Sequence, residues 1–130
     1  MREPASVTDQ TLPEAVAILK ALADPNRLRI FAHLMTGDSC NCELNEKLGL
    51  APNLLSHHLR ILKKAGLINS RPDAVDARWI YYAVDQATVG RWHRWFAHFL
   101  DPTRIQEQPR LCGPEGQQAA VTPRSGCLED

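Results

Sequence analysis

Apolar positions recur at helical spacing through most of the first hundred residues. Leu12, Val16, Leu19 and Ala23 form one stripe, with Ala15, Ile18 and Leu22 beside it. The segment is apolar nearly all round, which predicts a helix covered on more than one face, as at a dimer interface. Its start reads as a capping box, Thr11 serving as N-cap and Glu14 reaching back. Asp24-Pro25 restarts the chain, with the aspartate as cap and the proline at the first helical position. The helix that follows is expected to bury Leu28, Phe31, Ala32, Leu34 and Met35 and to stop at Gly37.

A short helix is expected over about 42–48, capped by Ser39 or Asn41, then a tight connection at Gly49-Leu50-Ala51. Pro52 opens the next helix, which ends at Ala65-Gly66, where glycine suits a left-handed cap. Two short helices joined by a glycine-containing turn are the helix-turn-helix pattern. Leu67-Ile68-Asn69-Ser70 and Trp79-Ile80-Tyr81-Tyr82-Ala83-Val84 are β-branched and aromatic, and they flank a polar stretch at 71–78. That predicts a β-hairpin. Asp85 then caps a last helix over 86–100, with Val89, Trp92, Trp95, Phe96, Phe99 and Leu100 on one broad apolar face, stopped by Asp101-Pro102. The order is α-α-α-α-β-β-α, a mainly α winged helix-turn-helix over 11–101. A flexible N-terminus at 1–10 and a mobile, cysteine-containing tail at 102–130 are expected around it.

Composition changes this picture little. At 130 residues and 44% hydrophobic, the chain suits one core. No apolar run approaches the ~20 residues that cross a bilayer, and Met1-Arg2-Glu3-Pro4-Ala5-Ser6 does not read as a signal peptide. A cytoplasmic protein without a membrane partner is expected. Fifteen basic and fifteen acidic residues cancel, so any affinity for a polyanion must come from a local basic face. Between 52 and 71 the charged residues are Arg60, Lys63, Lys64 and Arg71, with no acid among them.

On a helical wheel, 52–65 divides cleanly. Leu55, Leu59 and Leu62 fall together, with Leu54, His58, Ile61 and Ala65 beside them. Opposite lie Asn53, Ser56, His57, Arg60, Lys63 and Lys64, which offer hydrogen bonds or positive charge and no carboxylate. Asn and Arg can make paired contacts to adenine and guanine edges. Such a helix suits a major groove, with Arg60 and the lysines available to bases or phosphates. In the hairpin, Arg71 and Arg78 flank the loop and could grip DNA backbone, although Asp73 and Asp76 blunt that charge. A solvated amphipathic helix is the plainer reading of 52–65 alone. The helix-turn before it and the hairpin after it favour the DNA reader, whereas His58 is expected to pack inside. No phosphate-binding glycine loop and no nucleophile–base pair point to an enzyme.

Three stretches carry a family resemblance. Leu22-Ala23-Asp24-Pro25-Asn26-Arg27-Leu28-Arg29-Ile30, Ser56-His57-His58-Leu59-Arg60-Ile61-Leu62-Lys63-Lys64-Ala65-Gly66-Leu67 and Arg78-Trp79-Ile80-Tyr81-Tyr82 resemble the ArsR/SmtB family of arsenical-resistance and metal-responsive repressors. The resemblance runs from about Leu12 to Leu100. It implies a homodimer joined through the first and last helices, bound to a partly palindromic double-stranded operator. It also implies an inducer, often a metal or metalloid ion, that lowers DNA affinity. For the dimer interface, Trp92, Phe96 and Phe99 are expected to meet Leu12, Val16 and Leu19.

Cys40-Asn41-Cys42-Glu43-Leu44 matches one of the family's sensor sites, but Asn45 stands where arsenic-sensing relatives can place a third cysteine. A second family site uses Asp/Glu and His of closing helices; His93, His98 and Asp101 lack the expected spacing. A helix N-terminus favours the thiolate form that binds soft ions. Residues i and i+2 of a regular helix point roughly 200° apart, so one ion cannot hold both thiolates without altering the first turn. As(III) or Sb(III) takes three thiolates and Cd(II) or Pb(II) three or four. Cys112 is the candidate for the missing ligand, in its own subunit or across the dimer, and Cys127 a weaker fourth. Two other readings stay open: a thiol redox sensor of the same fold, and a winged-helix module that binds protein.

Overall fold

A computed structural model describes residues 10–107 and 112–114. The expected flexible N-terminus, most of the expected tail and Cys127 lie outside the described residues. The chain divides into two compact units, Met1–Phe99 and Leu100–Asp130. The first contains α1 (Leu12–Leu22), α2 (Pro25–Leu34), β1 (Ser39–Cys40), α3 (Asn41–Leu48), α4 (Pro52–Lys64), β2 (Ile68–Pro72), β3 (Ile80–Val84) and α5 (Gln86–Phe99). In the second, Pro102–Arg104 forms one 3₁₀ turn. Mainly helical, with a hairpin wing, the first unit has the expected winged helix-turn-helix architecture.

Local chemistry sets the corners. The Asp24 carboxylate accepts from the amides of Asn26 (2.8 Å) and Arg27 (3.1 Å), and Pro25 sits in the first turn where no donor is missed. Thr11 behaves differently: it is in the helical region and its side chain does not cap α1, so the expected capping box is not formed. At the helix-turn, Gly49 adopts φ 67°, and its amide donates to the Asn45 carbonyl. Glycine takes that left-handed conformation at no steric cost, and Pro52 can open α4 three residues later.

The core is built from Ile30, Leu34, Leu44, Leu55, Leu59, Leu62, Leu67, Ile68, Trp92 and Trp95, together with Ala15, Ile18 and Ala21 of α1. In α2 the buried face agrees only in part with the sequence expectation: Leu34 is buried and Phe31 packs against the core, as expected. Ile30 and Leu34, one turn apart, are buried, whereas Leu28, Ala32 and Met35 are exposed. Leu28 lies about 200° around the helix from Ile30; a cluster of apolar letters did not fix the phase. Trp92 is also corrected. It packs inside its own protomer against Trp95 and Phe96, so it is not available as an interface surface. Leu12, Val16 and Leu19, by contrast, stand exposed on the outer side of α1.

The sheet has one strand more than expected. β1 pairs antiparallel with β3 (Ser39 with Tyr82, Cys40 with Tyr81), and β3 pairs with β2, giving the order β1-β3-β2. β2 runs to Pro72, so Arg71 lies within the ladder opposite Tyr81 instead of in the loop.

Candidate nucleic-acid interface and thiol site

α4 is held by its inner face and leaves its outer face open. Leu55, Leu59 and Leu62 are buried, while Asn53, Ser56, His57, Arg60, Lys63 and Lys64 are all exposed. The two faces therefore lie where the wheel puts them, apart from Leu54, which is exposed. His58 is buried, and the Arg27 guanidinium donates to its Nδ1 at 3.2 Å. A guanidinium has only donors, so Nδ1 accepts and the ring proton sits on Nε2, 4.0 Å from the Asp24 carboxylate. Arg27 also donates from Nε to the Ala21 carbonyl (2.7 Å) at the end of α1. One arginine thereby joins α1, α2 and α4 and fixes the roll of α4. Arg29 ties the other helix of the motif by donating to the last carbonyl of α3, that of Leu48, at 3.1 Å.

The wing is ordered by its own polar contacts. Asp73 accepts from the Tyr81 hydroxyl (2.7 Å) and from the amides of Val75 (2.7 Å) and Asp76 (3.0 Å). The Arg71 guanidinium lies over the Tyr81 ring, 4.8 Å from its centroid, a cation–π contact that leaves the charge exposed. Arg78 is differently placed: its guanidinium is paired with Asp76 at 2.7 Å. Of the two wing arginines, only Arg78 is held in an ion pair; Arg71 is exposed and feels the Asp73 carboxylate through space without a salt bridge to it. At the base of the wing, Lys63 donates to Ser70 Oγ at 2.7 Å and links α4 to β2.

The Tyr81–Asp73 contact has a pH signature. The bond from Tyr81, then the amides of Asp76 and Val75, hold the Asp73 carboxyl below the usual carboxylate range. The same bond, with burial behind it, pushes the Tyr81 phenol up. A lowered carboxyl contributes stability above its ordinary value and loses it as pH falls through the lowered one. A raised phenol contributes below its ordinary value and loses it as pH rises through the raised one. The amide chemical shifts of Val75 and Asp76 are expected to be flat between those limits and to move only outside them. Titration of these shifts near neutral pH would show that the Tyr81–Asp73 bond is not what orders the wing.

The thiols are placed asymmetrically. Cys40 is the N-cap of α3, a role expected of Ser39 or Asn41: its Sγ accepts from the Glu43 amide (3.4 Å), and Glu43 Oε1 accepts from the Cys40 amide (3.2 Å). This is a capping box with sulfur in place of a hydroxyl. Cys40 is buried and Cys42 exposed, both as free thiols, so the two sulfurs sit in different surroundings. Among the described residues no three His, Cys, Asp or Glu side chains group as a metal-binding set. Cys112 belongs to the second unit and is disulfide-bonded, so it must be reduced before it can serve as a thiolate ligand.

Sequence reasoning passed over three participants here. β1 is two residues long and has no periodicity to detect. The Arg27–His58 contact spans 31 positions. Tyr82 of β3, beside Arg60 and Lys63, could have been found from strand alternation, which gives it the same face as Ile80 and Val84.

Comparison with known proteins agrees with this architecture. The family model described as "Bacterial regulatory protein, arsR family" matches residues 24–70, from the α2 cap into β2. An uncharacterized HTH-type transcriptional regulator of Methanocaldococcus jannaschii is 40% identical over 74 residues, covering 55% of this chain and 80% of that protein. An arsenical resistance operon repressor of Staphylococcus xylosus is 40% identical over 58 residues, 45% of this chain and 56% of that one. The transcriptional activator HlyU of Vibrio cholerae is 34% identical over 76 residues, 58% of this chain and 68% of that one. Its solved structure superposes with a TM-score of 0.59 over 72% of this chain and 97% of HlyU, at 30% identity. These are transcriptional regulators, not enzymes, and the chain belongs to the arsR family of bacterial regulatory proteins.

Proposed function

We propose that the protein is a dimeric transcriptional repressor that reads operator DNA with α4 and is released by a soft metalloid or metal ion bound through cysteine thiolates. The observation that carries the DNA reading is the outer face of α4. Six exposed side chains there (Asn53, Ser56, His57, Arg60, Lys63, Lys64) are donors or cations, and no carboxylate interrupts them. In this reading Asn53 and His57 face base edges, and Arg71 on the wing takes backbone. Arg78, neutralised by Asp76, contributes less.

Arg60→Ala is expected to weaken operator binding by ~1–3 kcal/mol, about fivefold to 150-fold. The measurement is a mobility-shift titration against the DNA upstream of its own gene, with circular dichroism to show an unchanged fold. An affinity equal to that of the parent at two salt concentrations would remove α4 as the reader.

The inducer assignment rests on Cys40 and Cys42 at the entry to α3, with Cys112, once reduced, as the third thiolate. As(III) or Sb(III) is favoured because either completes its shell with three thiolates, and the similarity to an arsenical resistance operon repressor points the same way. Cd(II) or Pb(II) would take the same donors. A thiol redox response is the second reading, and the disulfide at Cys112 is the observation that favours it. The two separate on whether ion or oxidant releases DNA.

A further inference from the structure

One flank of α4 faces the sheet across a cleft of about 250 Å³ lined by Ser56, Leu59, Arg60, Lys63 and Tyr82. Ser56, Arg60 and Lys63 lie four and three residues apart along one helical row, with the Leu59 side chain as floor. Four of the five lining residues offer hydrogen-bond donors and none is a carboxylate. Among the described residues, the side chains of Ser56, Arg60 and Tyr82 have no hydrogen-bond or ionic partner. Lys63 gives one of its three N–H groups to Ser70 and keeps two. Unspent donors converging on a concave surface form an anion site.

We infer that this cleft seats a single phosphodiester of the operator backbone in each half-site, with the Tyr82 hydroxyl as a DNA contact alongside Ser56, Arg60 and Lys63. The inference rests on the reading of α4 given above and adds a residue and a division of labour to it. The flank toward β3 holds backbone, and the row of Asn53, His57 and Lys64 is left for base edges. Burial pushes the Tyr82 phenol up, so it keeps its proton at neutral pH and meets a phosphate oxygen as a donor. A phosphate seated between α4 and the sheet also fixes how deeply the helix enters the groove. Backbone contacts supply that positioning without reading sequence.

Tyr82→Phe removes one hydroxyl and no charge, and the ring keeps its place in β3. Its affinity for the operator is expected to fall about fivefold to tenfold, and by the same factor for a scrambled duplex, with an unchanged salt dependence. Lys63→Ala should instead lower the slope of log affinity against log salt by about one per half-site. Operators carrying single neutral methylphosphonate linkages locate the seat. One position per half-site should weaken binding by the parent chain and weaken binding by Tyr82→Phe distinctly less. If Arg60→Ala is harmful while Tyr82→Phe binds every duplex like the parent, the cleft is not a phosphate seat and the α4 reading stands. A Tyr82→Phe loss confined to the operator and absent on the scrambled duplex would also overturn the seat, because it would mean base reading. If Arg60→Ala is harmless too, the reading of α4 fails and the seat with it.

Discussion

A protein carrying Cys40→Ser and Cys42→Ser together is expected to hold operator DNA as tightly as the parent and to remain bound when As(III) is added. Both halves of that result follow from where the thiols sit. Cys40 caps α3 through Sγ, and serine is among the best N-cap residues, so its hydroxyl takes over the bond from the Glu43 amide. Cys42 is exposed, and serine there costs little. Neither position lies on the outer face of α4, so affinity for DNA should change by no more than about twofold, well under the tenfold that 1.4 kcal/mol represents.

Release is another matter. For one ion to hold both sulfurs, Cys40 must leave the Glu43 amide and its place opposite Tyr81 in the β1–β3 pair. The ion therefore binds best to a form in which the start of α3 is remodelled. α3 leads directly through the Gly49 turn into α4, so that form presents a displaced reader. An inducer shifts a population only by its differential affinity for the two forms, and removing the thiolates removes the difference. The measurement is a titration of As(III), Sb(III), Cd(II) and Pb(II) into the preformed protein–operator complex under reducing conditions. Cys112→Ser should weaken the response without abolishing operator binding. Release of the double variant at the parent's ion concentration would place the sensor elsewhere. Release by peroxide with no response to any ion would favour the redox reading.

The helices and the division of α4 into a buried and an exposed side were legible from short-range signals, because caps and turns are local chemistry. Asp24-Pro25, Gly49 and Pro52 each impose a backbone conformation on their own neighbours, and the alternation of leucines with polar residues in α4 reports directly on burial. What was not legible depends on partners distant in sequence. Cys40 is a cap because β1 brings the chain into register with Tyr81 and Tyr82, some forty residues further on. A two-residue strand has no pattern of its own. The inner face of α2 is legible only in part, at Leu34 and Phe31, because apolar residues lie on both sides of the helix and packing against α4 and the sheet selects Ile30 over Leu28. Arg27 and His58 belong to motifs the sequence displays, but their contact requires α2 and α4 to be folded together. Likewise the pairing of Arg78 with Asp76, which offsets its charge, is a matter of side-chain geometry that charge counting only hinted at.

Replacing Val16 and Leu19 together by glutamate is expected to produce a folded monomer with operator affinity lowered by about a hundredfold to ten-thousandfold. α1 has two apolar faces. Ala15, Ile18 and Ala21 are buried in the protomer core, while Leu12, Val16 and Leu19 are 41%, 44% and 51% exposed. Phe99, at the end of α5, is 42% exposed. Covering half-exposed side chains of this size contributes on the order of 1 kcal/mol each, and a two-fold axis counts every one of them twice. The Arg91–Glu14 ion pair at 2.6 Å joins α5 to α1 within one protomer; exposed as it is, it stabilises that arrangement little. Because Val16 and Leu19 face outward, glutamate at these positions leaves the protomer core intact and suits a helix. The loss therefore falls on association. A dimer binds its second half-site as an intramolecular event, and a monomer forfeits that effective concentration, which accounts for the size of the expected loss. Sedimentation should show a monomer at micromolar concentration with parental circular dichroism. Its affinity for an isolated half-site should match that for the full operator. A double variant that remains dimeric, or a monomer that binds the full operator like the parent, would mean that α1 does not join the two reading heads.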